Sequence, residues 1–281
     1  LRILCGQVKG YTALADSGDS NKCGPRSTKC FAFRVPTSYA RALAKAGFDV
    51  MSIANNHSGD FGIEGRASTM AALDGAGIKH AGVIGDIASL EHNGLKIALV
   101  GFSTGGGVYA LQDIETARRL VASVDRDHDL VIVSFHGGAE GTAAARVPKG
   151  PETFYGESRG DVYKFSHTLI DAGADLVLGH GPHLLRAMEI YRGRLIAYSL
   201  GNFCTWETFS LAFPLNITAV LGVTMAANGV VTAIDVEPVI IEKPGRPRRD
   251  PERRAIGLLR QLSTEDMGAP VIDEQGQYRR P

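Results

Sequence analysis

No apolar run in this chain of 281 residues is long enough to cross a bilayer. The longest, "DLVIVSF" and "ADLVLG", fall well short of the ~20 residues a spanning helix needs. Net charge is missing as well: 30 basic and 30 acidic residues cancel, leaving no electrostatic footprint for nucleic acid or an anionic membrane. No solenoid-type repeat is found. Glycine-rich "STGGGVY" lacks the Gly-Lys-Ser/Thr of a phosphate loop, and there is neither a Gly-x-Ser-x-Gly elbow nor a cysteine paired with a nearby histidine. A signal peptide and a lipobox cysteine are not visible. Because the first residue is Leu1 rather than Met, a removed or omitted upstream segment is expected, and that absence decides nothing.

What is present describes a globular protein with a sizeable core: 44% hydrophobic and 21% charged residues. There are four cysteines. Cys23 and Cys30 flank the polar loop "GPRSTK" and are expected to close into a disulfide, a secreted-protein habit that would place the chain outside the cytoplasm; two free thiols are the alternative. Cys5 and Cys204, in apolar surroundings, read as small core residues.

Apolar, β-branched runs alternate with helix-like segments. "PTSYARALAKAGF", "GIEGRASTMAALDGAG", "DIETARRLVASVDRD" and "GDVYKFSHTLIDAGA" read as helices, with Pro36 at the start of the first and Gly47 as its stop. "FDVMSIA", "KHAGVI", "LKIALVGFS", "LVIVSF", "DLVLG" and "RLIAYSLGNF" read as strands, followed by a hairpin turning at Asn228-Gly229. The alternation predicts an α/β fold with a largely parallel central sheet. The polar, proline-rich stretch "EKPGRPRRDPERR" and the short helix "AIGLLRQLS" are expected to form a peripheral appendage over residues 244–281, leaving residues 1–243 as the main domain.

Four of these strands end in metal-binding types of residue. "FDVMSIA" runs into Asn55-Asn56-His57, and Asp60 follows between two glycines. "LVIVSF" ends in His136-Gly137-Gly138, with Glu140 behind it; "DLVLG" ends in His180-Gly181-Pro182-His183; "LIAYSLG" ends in Asn202. Functional groups of open α/β sheets gather at the carboxyl ends of strands, so these side chains are expected to converge. Neutral imidazoles with amide or carboxylate oxygens suit Zn, Mn or Fe better than Ca. One histidine alone at a strand end is an ordinary turn residue, which is the reading for His80, His92 and His128; His167 stays open. Arg66 and Arg186 lie near the expected site and could contact an anionic substrate, or could be plain surface arginines.

At these residues the sequence resembles the bacterial capsule-synthesis CapA family, linked to poly-gamma-glutamate capsules. The resemblance is carried by "FRVPTSYARALAKAGFDVMSIANNHSGDFGIEGRASTMAALDGAGI", "VIVSFHGGAE" and "LIDAGADLVLGHGPHLLRAMEIYRGRLIAYSLGNF", from Phe31 to Phe203. That family is similar to calcineurin-like metallophosphoesterases, so the resemblance implies a four-layer α/β/β/α sandwich and a centre of two divalent metal ions, Mn, Fe or Zn. Carried over by position, Asn56, His136, His180 and His183 would be metal ligands. His57 would be the general acid, Asp60 its orienting carboxylate, and Glu140, Arg66 and Asn202 substrate contacts. Two metals ~3.5–4 Å apart would activate a hydroxide for in-line attack on phosphorus, with His57 giving its proton to the leaving group.

Two departures stand beside the resemblance. The carboxylates of an early Gly-Asp strand are missing before Asp16; the expectation is that such a strand lies upstream of Leu1, in a part not present here. And where the family has Gly-Asn-Leu-Glu-Gly, this chain reads Gly6-Gln7-Val8-Lys9-Gly10, with a cation in place of a metal-facing carboxylate. The expected activity is an extracytoplasmic, metal-dependent hydrolase of phosphoester bonds in capsule or envelope polymer metabolism, secreted or anchored through a segment not present here. Its expected partners are an anionic polymer or phosphoester substrate and membrane-bound capsule-synthesis proteins, with no nucleic acid. Two alternatives remain open: a non-catalytic assembly subunit that binds anionic polymer, and a metal-dependent gamma-glutamyl amide hydrolase or transferase.

Overall fold

The computed structural model describes residues 2–5 (backbone only), 13–16, 22–23, 30–205 and 210–280. Gln7 and Lys9, and with them the departure from the family pattern, lie outside the described residues, as does the side chain of Cys5. Along the chain come β1 (Arg2–Cys5), α1 (Tyr39–Lys45), β2 (Val50–Ser52), α2 (Gly62–Gly75), β3 (Lys79–Ala81), β4 (Ala88–His92), β5 (Leu95–Ser103) and β6 (Tyr109–Ala110). The middle of the chain holds α3 (Ile114–Asp125), β7 (Leu130–His136), β8 (Glu152–Phe154), β9 (Glu157–Gly160), α4 (Val162–Asp171) and β10 (Leu176–His180). Then follow β11 (Met188–Tyr191), β12 (Arg194–Ala197), β13 (Ile217–Met225), β14 (Val231–Glu242), β15 (Arg246–Arg249), α5 (Arg254–Met267) and β16 (Gln277–Arg279).

Among the described residues, seven strands form one sheet in the order β11-β12-β10-β7-β5-β4, with β6 beside β5. Its centre is parallel, as the alternation predicts: β12, β10, β7 and β5 run the same way, and only the edges β11 and β4 are antiparallel. Strands β7 and β10 are apolar at almost every position because both faces are covered, the usual reading of a buried parallel strand. On one face, Val100, Val133 and Val177 pack against Val121 of α3 and Phe165 and Leu169 of α4. On the other, Leu99, Ile132 and Leu178 meet Leu221 and Val223 of β13 and Ile234 and Val236 of β14. A second, antiparallel sheet (β1-β13-β14-β15, with β16 on β14) therefore lies face to face with the first. The fold is mixed α/β, with the two central sheets of the expected sandwich and a helical layer over the larger one. A smaller unit, β2 paired with β3, is covered by Leu43 of α1 and Leu73 of α2.

The structure differs from expectation at the C-terminus. Residues 244–281 are not appended to the sandwich but woven into it: β15 and β16 pair with β14, and α5 buries Ala255, Ile256 and Leu259 in the core between the sheets. The hairpin at Asn228-Gly229 is as expected, with Gly229 at φ +77° and the Ala226 N–H donating to Val230 O (2.9 Å). Cys204 is a free, partly exposed thiol rather than a core residue.

Candidate functional site

The parallel register brings the strand ends into one row. Ser103 of β5 lies beside His136 of β7, and His136 beside His180 of β10. The two histidine strands continue in contact, since the Gly137 N–H donates to His180 O (2.8 Å). This close approach requires Gly181, which adopts φ +127°; a β-carbon there would lie 2.3 Å from Gly137 O. The chain then swings back so that the His136 and His183 rings stand 6.1 Å apart, centroid to centroid. His183 adopts φ +67°, a left-handed conformation uncommon for a residue with a β-carbon.

Asn202 helps to hold that conformation. Its Nδ2 donates to His183 O (3.0 Å) and to Leu215 O (3.3 Å), and the side chain is buried. Glu140 sits between two basic groups, 2.9 Å from Arg159 Nη2 and 3.4 Å from His183 Nε2. Arg159 is itself buried and donates to Gly138 O (3.0 Å), so Glu140 is tied to the loop behind His136.

The turn after β2 supplies the second half of the site. Asn55 Oδ1 accepts from the His57 N–H (2.8 Å), a local Asx-type bond that turns the chain at the strand end. Gly105 of the glycine-rich loop lies against it: a β-carbon at Gly105 would be 3.1 Å from Asn55 O and 3.4 Å from Asn56 Cα. That loop, with no phosphate-loop pattern in the sequence, serves to let β5 approach the turn. Asp60 is 0% exposed, and its Oδ2 accepts from His57 Nδ1 (2.9 Å) and from the Phe33 N–H (2.8 Å). Its Oδ1 is 2.7 Å from Lys22 Nζ. Burial alone would raise the Asp60 pKa, but the hydrogen bonds from His57 and Lys22, the His57 charge and the Phe33 N–H together outweigh it and hold the carboxyl below its ordinary value. An ionised carboxylate only accepts, so His57 keeps a proton on Nδ1 in either charge state, and the second proton of the imidazolium, the one it can give away, sits on Nε2.

Asn56 Oδ1 and His180 Nδ1 are buried and have no hydrogen-bond partner among the described residues. Buried polar atoms are nearly always satisfied, so the orphaned amide oxygen, and the orphaned imidazole nitrogen in the tautomer that leaves Nδ1 unprotonated, ask for an electropositive partner. Burial first, and then neighbouring His183, lowers the His180 pKa to about 4, which keeps its ring neutral and its lone pair free at ordinary pH. These donors fit a divalent transition metal in kind. They are incomplete in number: among the described residues no three His, Cys, Asp or Glu side chains converge closely enough to hold an ion.

The two arginines separate. Arg186 is 0% exposed and forms a two-pronged pair with Glu152 (3.0 and 2.7 Å), so it is a buried scaffold for the loop after His136 and not a surface arginine. Arg66 Nε donates to Ser58 O (3.1 Å) and Nη2 to Gly106 O, stapling the Asn56–His57 turn to the glycine-rich loop; it has no carboxylate partner among the described residues. Cys23 and Cys30 are joined in a disulfide, with Cα atoms 5.5 Å apart. His167, left open by the sequence, is stacked on Tyr191 and bonded to Glu189 away from this row. Sequence reasoning missed Lys22 and Phe33. Their only signal is adjacency to the cysteine loop.

The family described as bacterial capsule synthesis protein PGA_cap matches residues 12–206, which include every histidine and asparagine of the site. The PGA biosynthesis protein CapA of Bacillus subtilis (strain 168) is 31% identical over 181 residues, covering 58% of this chain and 44% of that protein. The capsule biosynthesis protein CapA of Bacillus anthracis is 28% identical over 183 residues, covering 58% of this chain and 41% of the relative. The chain thus spans less than half the length of these curated relatives. Among solved structures, a 5'-nucleotidase precursor from Thermus thermophilus aligns with a TM-score of 0.43 at 15% identity, covering 81% of this chain and 45% of that one. By the extent of the family match, the chain belongs to the bacterial capsule synthesis protein PGA_cap family.

Proposed function

We propose that this chain is the hydrolytic domain of a capsule or envelope polymer pathway, outside the cytoplasm, acting on a phosphoester with the help of divalent metal ions. The observation that carries this reading is two buried lone-pair atoms without hydrogen-bond partners among the described residues, Asn56 Oδ1 and His180 Nδ1, together with a histidine next to Asn56 in the chain that is held by a buried carboxylate. Asn56, His136, His180 and His183 would hold the metal, Mn, Fe or Zn, with Glu140 and Asn202 keeping His183 in place. Metal ions bound there would supply the charge that neutralises a phosphoryl group. The chain's own residues do the rest: His57, with Nδ1 fixed on Asp60, presents Nε2 to protonate a leaving group, and Arg66 offers a positive charge beside that turn. Its partners would be membrane-bound capsule-synthesis proteins and an anionic polymer.

The same Arg66 charge favours a second reading, a non-catalytic subunit that binds the carboxylates of an anionic polymer. Elemental analysis by inductively coupled plasma mass spectrometry after dialysis into metal-free buffer, followed by an activated-phosphoester screen, separates the two. About two equivalents of Mn, Fe or Zn, lost in His180→Ala, together with turnover lost in His57→Ala, supports the hydrolase. No metal uptake from added Mn or Zn overturns it and leaves polymer binding.

A further inference from the structure

The proposed general acid is held from outside its own turn. Two short segments reach Asp60, one on each side of the Cys23–Cys30 disulfide. From the first, the Lys22 N–H donates to Asp60 O (2.8 Å) and Lys22 Nζ lies 2.7 Å from Asp60 Oδ1. From the second, the Phe33 N–H donates to Asp60 Oδ2 (2.8 Å), and the Phe33 ring meets the His57 ring edge-on, 4.7 Å between centroids at 74°. The disulfide closes the two segments on each other, with Cα atoms 5.5 Å apart. Asp60 is fully buried, so its carboxylate oxygens are shielded from water, while the Lys22 side chain reaches them from the surface with 36% of its area exposed.

We propose that the Cys23–Cys30 disulfide, by joining the segments that carry Lys22 and Phe33, clamps the Asp60–His57 pair, with Lys22 and Phe33 as positioning residues that fix the carboxylate and hence the aim of the imidazole. This rests on the reading of His57 as the proton donor, but the clamp itself has a readout that needs no turnover.

Geometry explains why Lys22 matters. Asp60 Oδ2 receives two donors, His57 Nδ1 and the Phe33 N–H. The other oxygen makes no aligned hydrogen bond among the described residues and faces the Lys22 ammonium as an ion pair at 2.7 Å, which ties the remaining edge of the carboxylate to the first segment. Lys22 Nζ also stands 3.2 Å from His57 Nδ1, yet an ammonium donates only, so it cannot replace Asp60 as partner of the Nδ1 proton. Breaking the disulfide lets residues 22 and 33 part, and Asp60 is then free to rotate. A ring no longer pinned at Nδ1 samples orientations that carry Nε2 away from a leaving group, a misplacement expected to lower kcat by roughly 10–100-fold, as loss of an outer partner commonly does.

His80 supplies an internal reference. Its Nδ1 makes the same kind of bond, to Asp86 Oδ2 (2.8 Å), on the β3 side of the fold. The test is proton NMR of the imidazole Nδ1–H resonances in the oxidised full chain, at one fixed pH where both are seen. Reduction with dithiothreitol, Cys23→Ser/Cys30→Ser and Lys22→Met are each expected to erase the His57 signal by solvent exchange and to leave the His80 signal. Lys22→Arg restores it. Loss of both signals reports unfolding of that sample, and the oxidised Lys22 variants then decide. A His57 signal that survives in Lys22→Met and in reduced protein overturns the clamp. If no preparation hydrolyses any phosphoester while the signals behave as expected, the activity reading fails and the clamp stands.

Discussion

Asp60 and Arg186 are both buried charges near the site, and they behave differently because their partners differ. Arg186 faces Glu152 as its one carboxylate partner among the described residues, so removing either side leaves an uncompensated charge in the interior. Arg186→Met is therefore expected to destabilise the fold by about 3–5 kcal/mol, read by urea denaturation, while an Arg186→Met/Glu152→Leu double variant recovers much of that loss. Asp60 carries a titration signature instead. Its folded pKa is depressed, so it contributes stability that is fully present above its unfolded value of about 3.9. That contribution disappears as pH falls through the lower folded value. Wild type and Asp60→Asn should accordingly differ in stability at neutral pH and converge in strong acid; parallel melting curves from pH 7 to pH 2 would remove Asp60 from the stabilising groups. Asp60 was legible in the sequence as a carboxylate near a histidine. Lys22 was not, because nothing in "SNKCG" says which way a lysine points once a loop is closed. Glu140 was legible as a neighbour of His136, but its partner Arg159 lies on β9, and spacing does not show that pairing.

Elements place these residues by register. The strands β7 and β10 could be read from their unbroken apolar runs, and the histidines at their ends could be read from chain position alone. What the sequence could not supply is the alignment of His136 with His180, which depends on how the chain crosses back between β7 and β10 through α4. Helix α4 is capped by Asp161, whose side chain accepts from the Lys164 N–H (2.9 Å), and it sets the entry of β10. Asp161→Ala removes that cap and should cost about 1 kcal/mol, seen as a lower denaturation midpoint with an unchanged m-value. A loss near zero would mean that α4 is fixed by its buried face, Phe165 and Leu169, without help from its cap.

For the whole molecule, the second sheet decides what can be cut away. Residues beyond 243 look dispensable in the sequence because "GRPRRDPERR" is polar, yet a charged stretch is what an edge strand carries on its open side. Strand β15 pairs Arg246–Arg249 with β14, and α5 behind it closes the inter-sheet core with Ala255, Ile256 and Leu259. A chain ending at residue 243 is expected to be insoluble or to lack near-ultraviolet circular dichroism, whereas a true appendage would be lost without either change.

The row Ser103–His136–His180 also has a consequence for the order of events during synthesis. Its members come from three parallel strands, each separated by a helix, so none of the side-by-side contacts exists until the following crossover has been made. A ribosome that has released β7 but not β10 has produced Asn56, His57 and His136 without their later partners. The emerging chain therefore has no complete row of side chains until β10 is out. If the row holds an ion as proposed, the finished fold and not the nascent chain would take it up.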